Sequence, residues 1–376
     1  MKAKTTFSLK DQLFNPEKVA YLTDLFAAVY PAFPSVSFQQ MVVDAFPQLE
    51  LKARIEHIAV CLQKSLPPEY LTALDIILRA LPPELDACLT DDDFGDFIIA
   101  PLNHFVAMYG CSAENLTPSL NALKTITKRF SAEDAIRYFI NAFPDETVAF
   151  LQRCSADENY HVRRLASEGT RAKLPWSQKL VIDYKVPLPI LNALYADNTR
   201  YVTRSVANHL NDVSKLDPTL VVETLARWQK SGQQREKEMA FIVKHSLRTL
   251  VKQGNQDALA LLGFGETPEV TIRGFSTHTP TVKIGEAFEF VLTIESHKAQ
   301  NIMADYVMRF ASNGNKRGRK VFKLKQVALS AGQTIAIKKK HPMRLMTTRR
   351  LYEGTHEITL QLNGQAHGTL AFELVA

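Results

Sequence analysis

The stretch YHVRRLASEGTRAKLPW occupies residues 160–176, and two later stretches repeat its pattern at a step of 40 residues. They are RYVTRSVANHLN at 200–211 and AFIVKHSLRTLV at 240–251. A helical repeat of about 40 residues is typical of HEAT and armadillo proteins. Each copy places a β-branched residue two positions before a basic one: Val162 and Arg164, Val202 and Arg204, Ile242 and Lys244.

The rest of residues 1–265 has the same helical pattern. In LELKARIEHIAVCLQKSL, for example, Leu51, Ile55, Ile58 and Leu62 are spaced to lie on one face of a helix. Most prolines stand between such segments, where they end or begin helices. The sequence therefore predicts a mostly α, HEAT-like helical repeat solenoid as the first domain, residues 1–265.

The pattern changes after Gly263-Phe264-Gly265, where apolar and polar residues begin to alternate with a period of two. Short antiparallel strands in a segment of about 100 residues fit an all-β immunoglobulin-like sandwich. This second domain is expected at residues 268–376. The alternating segments are VTIRGFS, FEFVLTIES, DYVMRFAS, RKVFKLKQVALS, QTIAIKKKH and HEITLQLNG.

The formal net charge of +6 is unevenly distributed. Residues 268–376 hold 16 Lys and Arg against 8 Asp and Glu, whereas residues 1–267 hold 29 against 31. The positive excess therefore lies in the expected β domain, and polyanions are its expected partners. Two acid-free segments concentrate it, GNKRGRKVFKLK and IKKKHPMRLMTTRR. We expect Lys316, Arg317 and Arg319 to bind DNA at a basic hairpin tip and the domain to clamp the duplex.

Several common functional classes lack their motifs in this chain. The four cysteines lie 27, 23 and 43 residues apart, which excludes a CxxC pair and argues against a disulfide framework. No GxGxxG, Walker loop, GxSxG or HExxH motif occurs, so neither a cofactor nor a metal is expected. The N-terminus lacks the apolar core of a signal peptide, and a cytoplasmic location is expected.

The recurring cation predicts a ladder of positive charge along one surface of the repeats, suited to a phosphate backbone. The alternative is a row of solvated charges or of salt bridges between repeats. Trp176, on a predicted loop, either stacks on DNA or caps the core between repeats. The candidate DNA-binding residues of the helical domain are Arg163, Arg164, Arg171, Lys173, Trp176, Arg204, Asn208, Lys244 and Arg248.

Three acids accompany these cations. Glu168 follows Arg164 by one helical turn and should share its face. Asp212 lies one repeat and one turn further along, and Glu133 is expected in the first turn of a helix after a Ser131 N-cap. These carboxylates either pair with the arginines or stabilise positive charge developing on a bound polyanion. The spacing alone leaves both roles open.

The stretch 160–176 closely resembles the hallmark stretch of the AlkC-type alkylpurine DNA glycosylases, which are HEAT-like repeat proteins of DNA alkylation repair. The end of the chain resembles the immunoglobulin-like extension of one branch. Further similar blocks are VYPAF at 29–33, LELKARIEHIA at 49–59, SVANHLND at 205–212, HSLRTLVKQGNQDALALLGF at 245–264 and LMTTRRLYEGTHEITLQLNG at 345–364.

The resemblance implies excision of cationic N-alkylated bases, such as 3-methyladenine, from double-stranded DNA without a cofactor. It implies catalytic carboxylates at Glu168, Glu133 and Asp212, with Asn208 as a substitute for Asp212. The acids would act on the sugar, and the base would stay largely within the duplex. The alternative function is a non-catalytic HEAT scaffold for nucleic acid or protein. A monomer is expected in either case.

Overall fold

A computed structural model describes residues 8–86, 88, 94–265, 267–312, 318–345 and 350–376. Helices fill the first part of the chain and strands the last part, as the sequence predicted. By their contacts the residues form two compact units. The first runs to Val213 and includes Trp228–His245, and the second contains Ser214–Arg227 and Ser246–Ala376. The predicted domains, 1–265 and 268–376, follow the change of secondary structure instead and stay a prediction.

Most connections between the helices are short, but a longer one occupies residues 170–187. Three-residue 3-10 turns lie at Phe46–Gln48 and Phe97–Ile99. The helices are α1 (Leu9–Leu13), α2 (Pro16–Val29), α3 (Ser35–Ala45), α4 (Leu51–Ser65), α5 (Tyr70–Arg79), α6 (Ala100–Gly110), α7 (Leu116–Ile126), α8 (Ile136–Ala142), α9 (Pro144–Cys154), α10 (Tyr160–Gly169), α11 (Leu188–Leu194), α12 (Arg200–Val213), α13 (Pro218–Ser231), α14 (Glu236–Ser246), α15 (Arg248–Gln253) and α16 (Gln256–Leu261).

Several helices begin with a proline, while other prolines stand between helices as predicted. Pro16, Pro144 and Pro218 are the first residues of α2, α9 and α13. Proline suits this position because its missing N–H would have no intrahelical acceptor there. Asn15 also caps α2 by accepting a hydrogen bond from the N–H of Lys18. These signals fix where the helices start.

The 40-residue repeat is real in its core positions. Val162, Val202 and Ile242 are all fully buried, on α10, α12 and α14. The basic positions differ from one another, because Arg164 is 6% exposed, Arg204 is half-buried and Lys244 is exposed. The repeat therefore predicted the core correctly but gave no uniform row of exposed cations.

The β region folds into two sheets, with strand orders β1-β3-β6 and β2-β8-β7-β4-β5. All pairings are antiparallel except β2 with β8, a parallel pair that the sequence did not predict. Phe288, Phe290, Tyr306 and Phe372 pack in the core. The strands are β1 (Val270–Thr277), β2 (Thr281–Lys283), β3 (Ala287–Ser296), β4 (Gln300–Arg309), β5 (Arg319–Leu329), β6 (Thr334–Pro342), β7 (Gly354–Leu362) and β8 (Gln365–Val375).

Helices α15 and α16 pack on the β region within the second unit. The α-carbons of Gly254 and Gly364 approach so closely that a Cβ at Gly364 would lie 2.7 Å from the Cα of Gly254. Both glycines have positive φ, at 75° and 78°. The side-chain amide of Gln256 donates to the Asn363 carbonyl nearby. A larger residue at either glycine would therefore disturb this contact.

Candidate active site

Five charged side chains of the first unit form one chain of alternating acids and arginines. Arg164 Nη1 lies 2.7 Å from Glu133 Oε2, and Arg164 Nη2 lies 3.7 Å from Glu168 Oε2. Arg171 Nη1 lies 2.5 Å from Glu168 Oε1, and its Nη2 lies 2.8 Å from Asp212 Oδ2. All three predicted catalytic acids thus meet in one cluster. Three carboxylates and two guanidiniums leave it one negative charge in excess.

Helices α10 and α12 carry most of this cluster because they pack side by side. Arg164 and Glu168 are one turn apart on α10, and Asp212 lies in the last turn of α12. Arg171 follows the end of α10, where it reaches acids on both helices. The cluster therefore depends on neighbouring repeats, as HEAT-like stacking allows.

The local structure around Glu133 differs from the one predicted. Helix α8 begins at Ile136, so Glu133 lies in the turn before the helix and not in its first turn. Ser131 does not cap the helix, since its hydroxyl donates to Glu133 Oε2 at 2.8 Å. The same hydroxyl accepts a hydrogen bond from Arg164 Nη1 at 2.9 Å. Ser131 therefore fixes the carboxylate beside its arginine.

The cluster faces a cleft of about 300 Å³, which we call the charged cleft. Aromatic and proline side chains form part of its wall, and Arg204, Ser205 and Asn208 extend it along α12. Its lining residues are Phe94, Glu133, Arg164, Glu168, Arg171, Leu174, Pro175, Trp176, Tyr201, Arg204, Ser205 and Asn208.

The three acids differ in their access to this cleft. The side chain of Glu133 is 26% exposed, whereas those of Glu168 and Asp212 are each 5% exposed. Burial by itself would raise the pKa of Glu168, but the guanidiniums of Arg164 and Arg171 outweigh it. The pKa of Glu168 is therefore below its usual range, and the carboxylate is ionised at neutral pH.

Arg164 has partners other than phosphate. Its guanidinium carbon lies 4.4 Å from the ring centroid of Tyr201 and 5.3 Å from that of Phe94. With Glu133 and Glu168 beside it, the cation is paired and enclosed. The alternative of salt bridges between repeats therefore describes this residue better than an exposed phosphate contact does.

Arg163 likewise has structural partners. Its Nε and Nη2 lie 2.5 and 3.2 Å from the two carboxylate oxygens of Asp197. Its Nη1 donates to the carbonyls of Asp157 and Glu158. This side chain joins the start of α10 to the connection before α12.

The other predicted DNA-binding residues lie in several places. Arg204 and Asn208 line the charged cleft, and Asn208 Oδ1 lies 2.9 Å from His245 Nε2. Lys173 is exposed on the connection after α10, and Lys244 is exposed on α14. Arg248 begins α15 in the second unit. Arg319 is exposed at the start of β5, while Lys316 and Arg317 lie outside the described residues.

Trp176 lies at the mouth of the charged cleft. It is 77% exposed, so the alternative of a core cap is wrong for this residue. Its φ of 64° is unusual for a bulky side chain. Its carbonyl accepts a hydrogen bond from the ammonium group of Lys52. Trp176 also borders a second, mainly apolar cleft of about 400 Å³ that contains Phe97 and Phe130.

The sequence interpretation missed Tyr201, Ser205 and Phe94. On α12, Tyr201, Ser205 and Asn208 recur at spacings of four and three, which is a detectable helical face. Ser205 donates a hydrogen bond to the Glu168 carboxylate, and its Oγ lies 2.9 Å from Ser167 Oγ. Phe94 lies outside the repeat pattern and gave no such signal.

The chemistry of this site is that of carboxylates and guanidiniums. Within the described ranges, no group of three or more His, Cys, Asp and Glu side chains is placed to hold a metal ion. Likewise, no helix in the described part of the chain is long and apolar enough to cross a membrane. The cluster is able to stabilise a cation near Glu133 and to accept a proton there.

A comparison with known proteins supports the fold described above. The structure of the Pseudomonas fluorescens alkylpurine DNA glycosylase AlkC, bound to DNA containing an abasic site analog, superposes with a TM-score of 0.88. The two chains are 34% identical, and the match covers 98% of this chain and 100% of the other. The chain belongs to the AlkC family.

Two further matches extend the comparison to a curated relative and a family model. The Bacillus subtilis (strain 168) protein described as "Uncharacterized protein YhaZ" is 31% identical over 367 residues, covering 96% of this chain and 98% of the relative. A family model described as "Uncharacterised protein YhaZ, C-terminal Ig-like domain" matches residues 271–376. These matches confirm the predicted fold, a HEAT-like helical region followed by an immunoglobulin-like sandwich.

Proposed function

We propose that this AlkC-family protein is a DNA glycosylase that hydrolyses the N-glycosidic bond of cationic alkylated bases of the 3-methyladenine class. The observation that carries the proposal is that Glu133, Glu168 and Asp212 meet in one cluster, of which Glu133 and Glu168 line a single open cleft. The AlkC relative is an alkylpurine DNA glycosylase, which supports the same reaction.

The charges of the cluster suit this reaction. An alkylated base that is already cationic takes the bonding electron pair and leaves as a neutral molecule, so it needs no acid. C1′ is left as an oxocarbenium-like cation, comparable to that of glycoside hydrolysis. Water then forms the new C1′–O bond and loses a proton. Glu133, the most exposed of the three acids, is the proposed stabiliser of the cation and acceptor of that proton.

We assign Glu168 and Asp212 a more buried role in the same centre. Glu168 maintains a negative potential at the cleft and orients Arg164 towards Glu133, while Asp212 holds Arg171 against Glu168. The open charged cleft suits attack on the sugar with the base left largely in the duplex. Arg204, Lys244 and exposed cations of the β domain are the proposed phosphate contacts.

A non-catalytic scaffold accounts less well for this arrangement. Carboxylates that face phosphates weaken DNA binding, yet the half-buried Glu133 lines the cleft. A clamp would use Arg164 and Arg171 as free cations, but acids neutralise both. We further propose that the protein acts as a monomer, since one chain contains the whole acid cluster, and that it meets its DNA substrate at the bacterial nucleoid in the cytoplasm.

Chromatography of the free base tests the function directly. Purified full-length protein is incubated with methylated calf DNA in the presence of a metal chelator, and released 3-methyladenine is quantified. We expect release at the same rate with and without chelator, since the proposed mechanism uses no metal. Absence of any released methylated base, at enzyme concentrations that saturate the DNA, would refute the proposed function.

A further inference from the structure

Arg137 on α8 anchors the segment that carries Arg171 and Trp176. Its side chain donates three hydrogen bonds, to the carbonyls of Gly169, Arg171 and Gln178, at distances of 3.0, 2.8 and 2.8 Å. Gly169 ends α10, the helix of Glu168, and Gln178 lies two residues after Trp176. One buried side chain thus connects three points around the charged cleft.

The placement of this cation is costly for the fold. Arg137 is 1% exposed, and every hydrogen bond it makes among the described residues goes to a main-chain carbonyl. Burial lowers the pKa of Arg137 to about 10, while Asp134 opposes that shift. A buried guanidinium without a bonded carboxylate gains less than an ion pair does. The cation does, however, complement the negative C-terminal end of α10.

Close packing brings α8 to the end of α10. A Cβ on Gly169 would lie 2.5 Å from Cγ2 of Ile136, the residue before Arg137. Only glycine therefore allows this approach. The sequence places the glycine directly after Glu168, so the carboxylate and the anchoring point are adjacent in the chain.

Two further side chains hold the same segment. Asn141, one turn after Arg137 on α8, donates to the Lys179 carbonyl at 3.0 Å and accepts from the Val181 N–H at 3.0 Å. From α4, Lys52 donates to the Trp176 carbonyl. The segment between α10 and α11 is therefore held on both sides of Trp176.

We propose that Arg137 is a positioning residue for excision, acting through the segment that places Arg171 against Glu168 and Trp176 at the cleft mouth. The proposal rests on the proposed glycosylase function. Arg137 is enclosed behind this segment and acts without touching DNA. Losing it should lower the rate of the chemical step while leaving general DNA affinity nearly unchanged.

The first test compares Arg137→Met, Arg137→Lys and Arg54→Met in single-turnover excision with saturating enzyme. Arg54 is the control, since it is also buried and donates to carbonyls, those of Lys10, Phe14, Leu49 and Phe46, although unlike Arg137 it also pairs with Asp11 at 2.7 Å. We expect Arg137→Met to reduce the rate about 10- to 100-fold, with affinity for undamaged duplex within about threefold. Arg137→Lys should recover part of the rate, and Arg54→Met should excise at the wild-type rate per folded molecule.

The second test reports on the segment without any activity measurement. The chain has two tryptophans, and Trp228 is buried against Tyr195. In a Trp228→Phe background, the time-resolved fluorescence anisotropy of Trp176 measures local motion. Arg137→Met should increase its fast component. Asn141→Ala should act in the same direction more weakly, and it replaces Arg137→Met if that variant does not fold.

The outcomes separate the two proposals. Wild-type protein that releases no base refutes the glycosylase function, whereas the anisotropy still decides the anchoring. Excision by Arg137→Met at the wild-type rate would overturn the positioning role, as would unchanged Trp176 motion. If Arg54→Met lowered the excision rate as much as Arg137→Met does, both arginines would have a structural role only.

Discussion

Glu168 shows how one residue combines a structural and a functional part. Its carboxylate is buried between Arg164 and Arg171 and accepts a hydrogen bond from Ser205. Removing one member of a buried ion pair leaves the other charges uncompensated, which is worse than removing all of them. The negative charge that suits an oxocarbenium therefore also holds two helices together.

We predict that Glu168→Gln lowers the free energy of unfolding by about 3 kcal/mol at pH 7. Because the folded pKa of Glu168 is below its ordinary 4.5, its charge stabilises the fold above pH 4.5. That contribution is lost as the pH falls through the folded pKa. Urea titrations at pH 7 and pH 3.5 should show the difference from wild type shrinking.

Glu50→Gln is the control for this stability measurement. Glu50 pairs with Lys10 at 2.7 Å, but its side chain is 86% exposed. Exposed pairs contribute little, so this variant should change stability by less than about 1 kcal/mol. Equal losses for the two variants would show that burial between arginines is unimportant.

At the scale of elements, α12 divides its polar residues between two faces. Tyr201, Ser205 and Asn208 face the charged cleft, whereas His209 is fully buried. His209 Nδ1 lies 3.1 Å from the Ser167 carbonyl, and its Nε2 has no hydrogen-bond partner among the residues that the structure describes. An imidazole in this position is favoured only in its neutral form.

We predict that acid weakens α12 through His209. Burial lowers the pKa of His209 to about 4 from its ordinary 6.5, and nearby Arg171 adds to the effect. The unfolded chain therefore binds the extra proton between those values, and stability falls as the pH drops from 6.5 to 4. The loss of stability over this pH range should total about 3 kcal/mol. The negative charges of Asp212 and Glu168 raise the pKa of His209, so the loss is smaller than burial alone would cause.

Urea titrations of His209→Gln across this pH range test that prediction. The variant should lose most of the slope of stability against pH between 6.5 and 4. His278→Gln, at an exposed position of the β region, should keep the wild-type slope. An unchanged slope in His209→Gln would contradict the assignment.

The repeated cations of α10 and α12 give a prediction about DNA binding. Arg204→Ala should reduce the salt slope of log K by about one, because a phosphate contact releases counterions. Arg163→Ala should leave the slope unchanged and lower stability instead, since Asp197 holds that guanidinium. Binding to undamaged duplex at several salt concentrations measures both. Equal slopes for wild type and Arg204→Ala would exclude the phosphate contact.

Sequence reasoning found the acids but not their environment. Glu133, Glu168 and Asp212 were identifiable from the repeat and the resemblance, and they do meet. The repeat could not show that Arg164 is enclosed while Lys244 is exposed, because equivalent positions in a stack differ in what covers them. Arg137 went unnoticed since its three carbonyl partners lie 32 to 41 residues away in sequence.

At the scale of the whole molecule, the change of pattern near Gly265 predicted both architectures. Two strands escaped notice for physical reasons. Strand β2 has only three residues, too few to show alternation, and β8 contains Gly368, which reads as a turn signal. The contacts of α15 and α16 with the β region link residues far apart in sequence, and periodicity carries no information about them.

The exposed cations of the β region predict a salt-dependent contribution to DNA binding. Reversing the exposed cations Arg319, Lys320 and Lys323 to Glu should weaken DNA binding at low salt, and the effect should shrink as salt rises. The control reverses three exposed lysines of helices, at positions 64, 230 and 237, giving the same net charge. Equal weakening in both triple variants would attribute the effect to net charge alone.

Single-turnover excision by Glu133→Gln decides the claim that the acid cluster is the catalytic centre. The substrate is a duplex with one 3-methyladenine, with enzyme in excess of its dissociation constant. Glu133→Gln should fall at least about 100-fold below wild type with nearly unchanged DNA affinity, while Glu50→Gln keeps the full rate. A Glu133→Gln rate within threefold of wild type would contradict the claim.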